Sequence, residues 1–232
     1  MSATPVAGSD TRQSPPIPPL LPLLPAMALS ARDLPDGFRL VGERHETAAG
    51  VSLLMIHGHK SEQDLLDSGF VSHYESAYLE LEGNLVIRSY IALFASDGDA
   101  SGAFKMVAAP RRVSLPAGSD AARDLDDLGD GKAMVASGRT TGIRGNTVNA
   151  TDVTFRIGSL LAGITLEKPA HGPTPSEDDA IAFARLLETR VRAVLADEEV
   201  DQVDPRLARV MLPFQDLENA TIVQDGYLDR ID

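Results

Sequence analysis

The sequence predicts an α+β fold, a mainly antiparallel sheet built from hairpin–helix units with helices packed on it. Three observations carry this. Two stretches read as a hairpin followed by a helix, around 70–108 and 152–195. Each helix opens on a serine cap with acidic residues behind it. The last helix has a long apolar stripe at helical spacing, suited to cover a sheet.

The elements follow in chain order. Residues 1–21 are rich in Ser, Pro, Gly and Ala and predict a disordered, polyproline-like tether. The apolar run Ile17–Ala28 carries an Ala26-x-Ala28 pair of the kind a signal peptidase accepts, but four prolines interrupt it. A Pro-rich lead into the domain is the favoured reading. Residues 22–196 form the single α+β domain.

Strands are expected at Phe38–Glu46 and Val51–His57. In Phe70–Leu81, Val71, His73, Glu75, Ala77 and Leu79 alternate with Ser72, Tyr74, Ser76 and Tyr78. Glu82-Gly83-Asn84 supplies a turn, and Leu85–Phe94 returns as a strand. Ser96-Asp-Gly-Asp99 opens a helix through about Ala108 that Pro110 is expected to stop. Lys132–Arg139 is a further strand. Asp152–Ile157 and Leu160–Leu166 form a second hairpin around Gly158-Ser159, a turn of the Gly-X type.

Ser176 then caps a helix from Glu177 to about Leu195. Its stripe is Ala180, Phe183, Ala184, Leu187, Val191, Val194 and Leu195, and Arg185 falls on the opposite, solvent side. Glu177, Asp178 and Asp179 near its start, with Arg190 and Arg192 toward its end, complement the helix dipole.

Residues 197–204 form an acidic linker. Residues 205–232 are a candidate start of a second, truncated repeat. With an offset of 183, Pro22, Leu24, Leu29, Asp33 and Leu34 fall on Pro205, Leu207, Leu212, Asp216 and Leu217.

Composition narrows the function classes. Lys plus Arg is 21 and Asp plus Glu 34, a formal net charge of −13, which disfavours nucleic acid and anionic lipid as partners. There are no cysteines, so disulfides, thiolate nucleophiles and Cys-ligated metals are excluded. No apolar run is long enough to span a membrane as a helix.

Four motifs invite chemistry. Val51–His59 resembles the strand and His-Gly turn of an α/β-hydrolase oxyanion hole, but the chain has no Gly-x-Ser-x-Gly elbow to carry a nucleophile. His57 and His59 are two apart, so on a strand they share a face and are candidate metal ligands, with His45 or Glu46 as a third. Asp126, Asp127 and Asp130 belong to an acidic cluster and are candidate cation ligands. Asp97-Gly-Asp-Ala-Ser-Gly102 mimics the start of a calcium loop, but its twelfth position is Ala108 in place of glutamate, and a helix cap explains the same residues.

One stretch carries a family likeness. Leu128-Gly-Asp130, a strand, Val153–Ser159, a return strand and a long closing helix together resemble extracytoplasmic α+β domains of bacterial lipoproteins. The extracellular sensor domains of mycobacterial serine/threonine kinases and, in outline, PsbP-like folds are similar. The likeness covers about residues 125–195. The kinase sensor domains carry disulfides and this chain has no cysteine. The resemblance implies a non-enzymatic domain and transfers no catalytic residue.

The expected function is therefore a non-enzymatic ligand- or protein-binding module of the cell envelope, extracytoplasmic, with no cofactor and with a small ligand or a protein as partner. A cytoplasmic location is the alternative compartment. The alternative function is a metal-assisted hydrolase using His57, His59 and nearby carboxylates.

Overall fold

The computed structural model describes residues 19–48, 62–81, 84–113, 122–142 and 145–196. The strand expected at Val51–His57, the histidines His57 and His59, and everything from residue 197 on lie outside the described residues. Seven strands form one sheet: β1 (Phe38–Glu46), β2 (Phe70–Glu80), β3 (Val86–Phe94), β4 (Arg123–Leu125), β5 (Ala133–Thr141), β6 (Thr147–Ile157) and β7 (Leu160–Pro169). Their order is β1-β2-β3-β7-β6-β5-β4, and every neighbouring pair is antiparallel. Two meanders, one from each hairpin–helix unit, are thus zipped together where β3 pairs with β7.

The turns follow from local chemistry. Asn84 takes the left-handed conformation, φ 54°, and the Glu80 amide donates to Leu85 O at 2.8 Å to close the first hairpin. In the second hairpin Gly158 has φ 54° while Ser159 stays at negative φ. A positive φ at the first turn residue alone is the glycine-first turn that suits strand twist.

The first face of the sheet is apolar. Tyr74 and Tyr78 of β2, Ile87 and Ile91 of β3, Ile164 and Leu166 of β7, and Val153 and Phe155 of β6 all point into one core. The helix Glu177–Leu195 covers part of this face. Its buried positions Ala180, Ala184, Leu187 and Val191 recur every three to four residues. Ser176 Oγ accepts from the Asp179 amide, the cap expected from the sequence. The stripe is narrower than expected. Leu195 is 40% exposed, because it sits at the helix end beyond the sheet, and Phe183 is half-buried at the edge of the core.

A strap, residues 20–34, covers the rest of the first face. It contains the short helix α1 (Leu24–Met27), and its Leu24, Met27, Ala28 and Leu29 are core residues. Within that apolar run, Leu21, Leu24, Met27 and Ala28 are therefore built into the interior, and Leu20 packs with them.

Polar clips fix the strap. The Leu29 amide donates to Ser89 Oγ at 3.2 Å, and Leu29 O accepts from Tyr78 OH at 2.9 Å and Ser76 Oγ at 3.3 Å. Ser76 and Ser89, cross-strand partners in the middle of an apolar face, are thereby satisfied. Arg190 closes the clamp from the helix side: its Nε donates to Ala26 O at 2.7 Å and its Nη1 to Asp33 Oδ2 at 3.0 Å.

Among the described residues, the second face carries helices at one end only. After α2 (Glu62–Asp67) comes α3 (Asp97–Val113), and the final helix, Glu177–Leu195, is α4. Ala100, Ala103 and Phe104 of α3 and Leu65 of α2 meet Phe70, Phe94, Met134 and Leu161 of the sheet. Ser96 caps α3 as expected: the Asp99 amide donates to Ser96 Oγ at 3.2 Å, and Ser96 Oγ donates back to Asp99 Oδ2 at 2.6 Å. The helix, however, does not stop before Pro110. It runs to Val113, because proline in the last turn removes one backbone bond without preventing the chain from continuing the helical path.

The strap and α4 together should account for much of the stability of the first face. Met27→Ala and Leu187→Ala are each expected to cost about 2–5 kcal/mol, as buried large-to-small changes do. Leu23→Ala in the exposed part of the strap should cost about 0.5 kcal/mol or less. Arg185→Asp, which removes an exposed pair with Asp127, should cost about 1 kcal/mol or less. Denaturant melts of the four variants check this, and equal losses for Met27→Ala and Leu23→Ala would show that the strap is not core.

Candidate functional site

Away from α3, the second face is polar at its centre. The alternation along each strand decides this. His73 and Glu75 of β2, Arg88 and Tyr90 of β3, Thr165 and Glu167 of β7, and Asp152 and Thr154 of β6 all lie opposite the apolar set just described. From β1, Arg44 stands beside Glu75, and Glu46 beside His73.

The centre of the array is an ion-pair network. Arg88 donates to Glu75 Oε2 from Nη2 at 2.7 Å, to Glu75 Oε1 from Nε at 3.2 Å, and to Glu167 Oε1 from Nη1 at 2.9 Å. Arg44 Nη2 adds a second cation to Glu75 Oε1 at 2.9 Å. Glu75 is 4% exposed and Glu167 2%, so both carboxylates are desolvated.

Burial alone would push the Glu75 carboxyl up. The charges of Arg88 and Arg44 and the Arg88 hydrogen bonds outweigh it, and the group is held below its ordinary value. Burial likewise works against the Arg88 cation, but its two carboxylate partners raise its pKa above the ordinary range.

A second polar line runs beside the network. Thr154 and Thr165 donate to the two oxygens of Asp152 at 2.9 and 2.7 Å. Because the Thr154 proton goes to Asp152, Tyr90 OH is the donor in its 2.6 Å bond with Thr154 Oγ1. Gly163 makes this crossing possible. A Cβ there would come within 2.4 Å of the Tyr90 oxygen and 2.5 Å of Val153 O.

The His73 ring stacks on Tyr90, centroids 6.1 Å apart. Its Nδ1 is 3.4 Å from Glu46 Oε2, and neither buried atom has a hydrogen-bond partner among the described residues.

The carboxylates singled out in the sequence are placed elsewhere. Asp126 is exposed, and Asp127 pairs with Arg185. Asp130 Oδ2 accepts from the Gly158 amide at 2.7 Å, and the carboxylate also stands near Arg156 and Arg192 at 3.6 and 3.4 Å. Among the described residues no group of three or more His, Asp or Glu is placed to hold a metal ion. Glu46 and His45 point to opposite faces of β1, and the neighbour of β1 that meets Glu46 is His73.

Sequence reasoning missed the Arg88 network. The alternation of β2 already puts His73 and Glu75 on one face. The Glu167 partner, however, depends on β3 pairing with a strand distant in sequence, 79 residues from Arg88 to Glu167.

No known protein family and no curated protein matches the chain in sequence. Among solved structures, the extracellular domain of PknH from Mycobacterium tuberculosis is similar. It has a TM-score of 0.53 at 8% identity, with 73% of this chain and 95% of that chain covered. At this identity the likeness establishes a shared fold. That fold is one of the outlines the 125–195 stretch resembles, and it extends over much more of the chain. No helix among the described residues is long and apolar enough to cross a membrane.

The network makes two measurable claims. Arg88→Met leaves two buried carboxylates without their main cation and is expected to cost about 3–5 kcal/mol. Arg44→Met, at a side chain 33% exposed, should cost about 1 kcal/mol or less. The sign with pH follows from the lowered Glu75 group, whose stabilisation is full above its unfolded value near 4.5 and is lost as pH falls through the folded one. Urea melts between pH 3 and 6 should therefore show a steeper acid loss in the wild type than in Glu75→Gln. Parallel curves would contradict the pairing.

Proposed function

We propose that the polar second face is the floor of a binding site for a small polar ligand, and that the chain serves as a non-enzymatic binding module of the cell envelope. The observation that carries this reading is the Arg44–Glu75–Arg88–Glu167 array. Buried ion pairs contribute little net stability compared with apolar packing, so their place at the centre of a sheet face calls for another use. Arg88 is held by three hydrogen bonds to two carboxylates, Glu75 and Glu167. Arg44 is the more exposed member, with Nη2 on Glu75 Oε1 at 2.9 Å and Nη1 3.9 Å from Glu46 Oε1. A floor that holds a partly exposed guanidinium beside the His73–Tyr90 stack suits a planar or acid-bearing small molecule. The envelope location draws on the fold shared with an extracellular domain and on the Pro-rich lead.

A thermal-shift screen of polar metabolites and divalent metals against the wild type and Arg44→Met tests the reading. A ligand at about a hundred times its Kd adds about 2.7 kcal/mol, a rise of about 5–10 °C for a domain of this size. The rise should vanish in Arg44→Met. A response to metals alone would favour the hydrolase alternative, and a metabolite response unchanged in Arg44→Met would place the ligand elsewhere.

A further inference from the structure

We propose that Pro205–Leu217 is a second strap sequence, whose docking site is the groove of its own chain that residues 22–34 fill between the first face of the sheet and α4. Five identities at an offset of 183 relate the two segments, and the structure shows what those positions do. The buried strap residues Leu24, Met27, Ala28, Leu29 and Leu34 fall on Leu207, Val210, Met211, Leu212 and Leu217, all apolar. Asp33, which takes the Arg190 guanidinium, falls on Asp216. Leu23, 37% exposed in the strap, falls on the polar Arg206, and the exposed Arg32 on Gln215. The match therefore follows burial and the one charged anchor, the features that the groove would read.

The tail departs from the strap in size at the buried Ala28, which corresponds to Met211, and at the exposed Ala31, which corresponds to Phe214, and in contacts at two further positions. Leu21, which is buried, corresponds to Asp204, and Ser30 corresponds to Pro213. Ser30 donates from its backbone amide and its hydroxyl to Asp33 Oδ2 at 2.7 and 2.8 Å, and proline has neither donor. The tail segment is thus the weaker occupant, consistent with residues 22–34 filling the groove.

Reach permits the exchange. Pro205 lies ten residues past the end of α4 at Leu195, a span of up to about 33–36 Å of extended chain. Arg190, which grips the strap, is only five residues back from that end, about 7–8 Å along the helix.

The cysteine-free chain makes the test clean. Arg209 corresponds to Ala26, whose carbonyl meets Arg190. Full-length protein carrying Arg190→Cys with Arg209→Cys is treated with a short bis-maleimide, with Arg190→Cys/Ala26→Cys as the strap reference. Arg190→Cys also removes the clamp on the strap and so favours exchange. An intramolecular cross-link between Cys residues at 190 and 209 is expected, increased several-fold by Met27→Ala and abolished by Leu212→Asp. Absence of that cross-link where the reference pair reacts overturns the proposal. So does a cross-link that survives Leu212→Asp, or one found only between two chains. Independently, deletion of residues 204–232 should leave the Tm of the wild type unchanged and lower that of Met27→Ala. Equal Tm for Met27→Ala with and without the tail also counts against it.

Discussion

Arg88 stands between two desolvated carboxylates, one on each neighbouring strand, and the second face of the sheet depends on it. β3 joins the two meanders, so the guanidinium bridges the N-terminal half of the sheet, through Glu75, to the C-terminal half, through Glu167. Without that cation the two anions would face each other across a desolvated surface, where repulsion and lost hydration add. With it, the strand pairing that is least local in sequence gains a charge-assisted lock with fixed geometry. The same lock fixes the side chains on which the proposed site would rest.

The first face solves a different problem. A sheet this wide has more apolar surface than one nineteen-residue helix can cover. The strap supplies the rest, as short helical turns joined by extended residues over the interior. Its backbone groups must then find partners, and Ser76, Tyr78, Ser89 and Arg190 provide them. Buried serines facing each other on an apolar sheet face therefore have an explanation in the strap that crosses them. Asp33 and Arg190 then tie the strap to α4, so the two covers of the first face are fastened to each other as well as to the sheet.

Much of this was legible in the sequence, and the reasons for the gaps are physical. Gly158, Ser96 and Ser176 announce their turn and caps because each meets a local geometric demand. The α4 stripe is readable because helical period and burial coincide. The strap hid behind its prolines, which suggest a tether when only composition is weighed, whereas short turns with proline at their first positions pack well against an apolar face. Pro110 misled in the same way, since a proline weakens a helix without marking its end. The candidate site was hardest to see. His73 and Glu75 share a face by alternation, but nothing local tells that Glu167 lies across Arg88, or that Gly163 is glycine to let Tyr90 through. The acidic cluster at 126–130 drew attention by its density, yet Asp127 and Asp130 turn to arginines on α4 and β6.

The charge lock is the central claim, and the titration of the Glu75 carboxyl, followed by carbon NMR in the full-length protein, reaches it most directly. Burial and pairing push this group in opposite directions, so the sign of its displacement reports which dominates. The network predicts a midpoint below the ordinary value near 4.5, moving upward in Arg88→Met. A wild-type midpoint at or above that value would mean that Arg88 does not hold Glu75, and the charge lock would not exist.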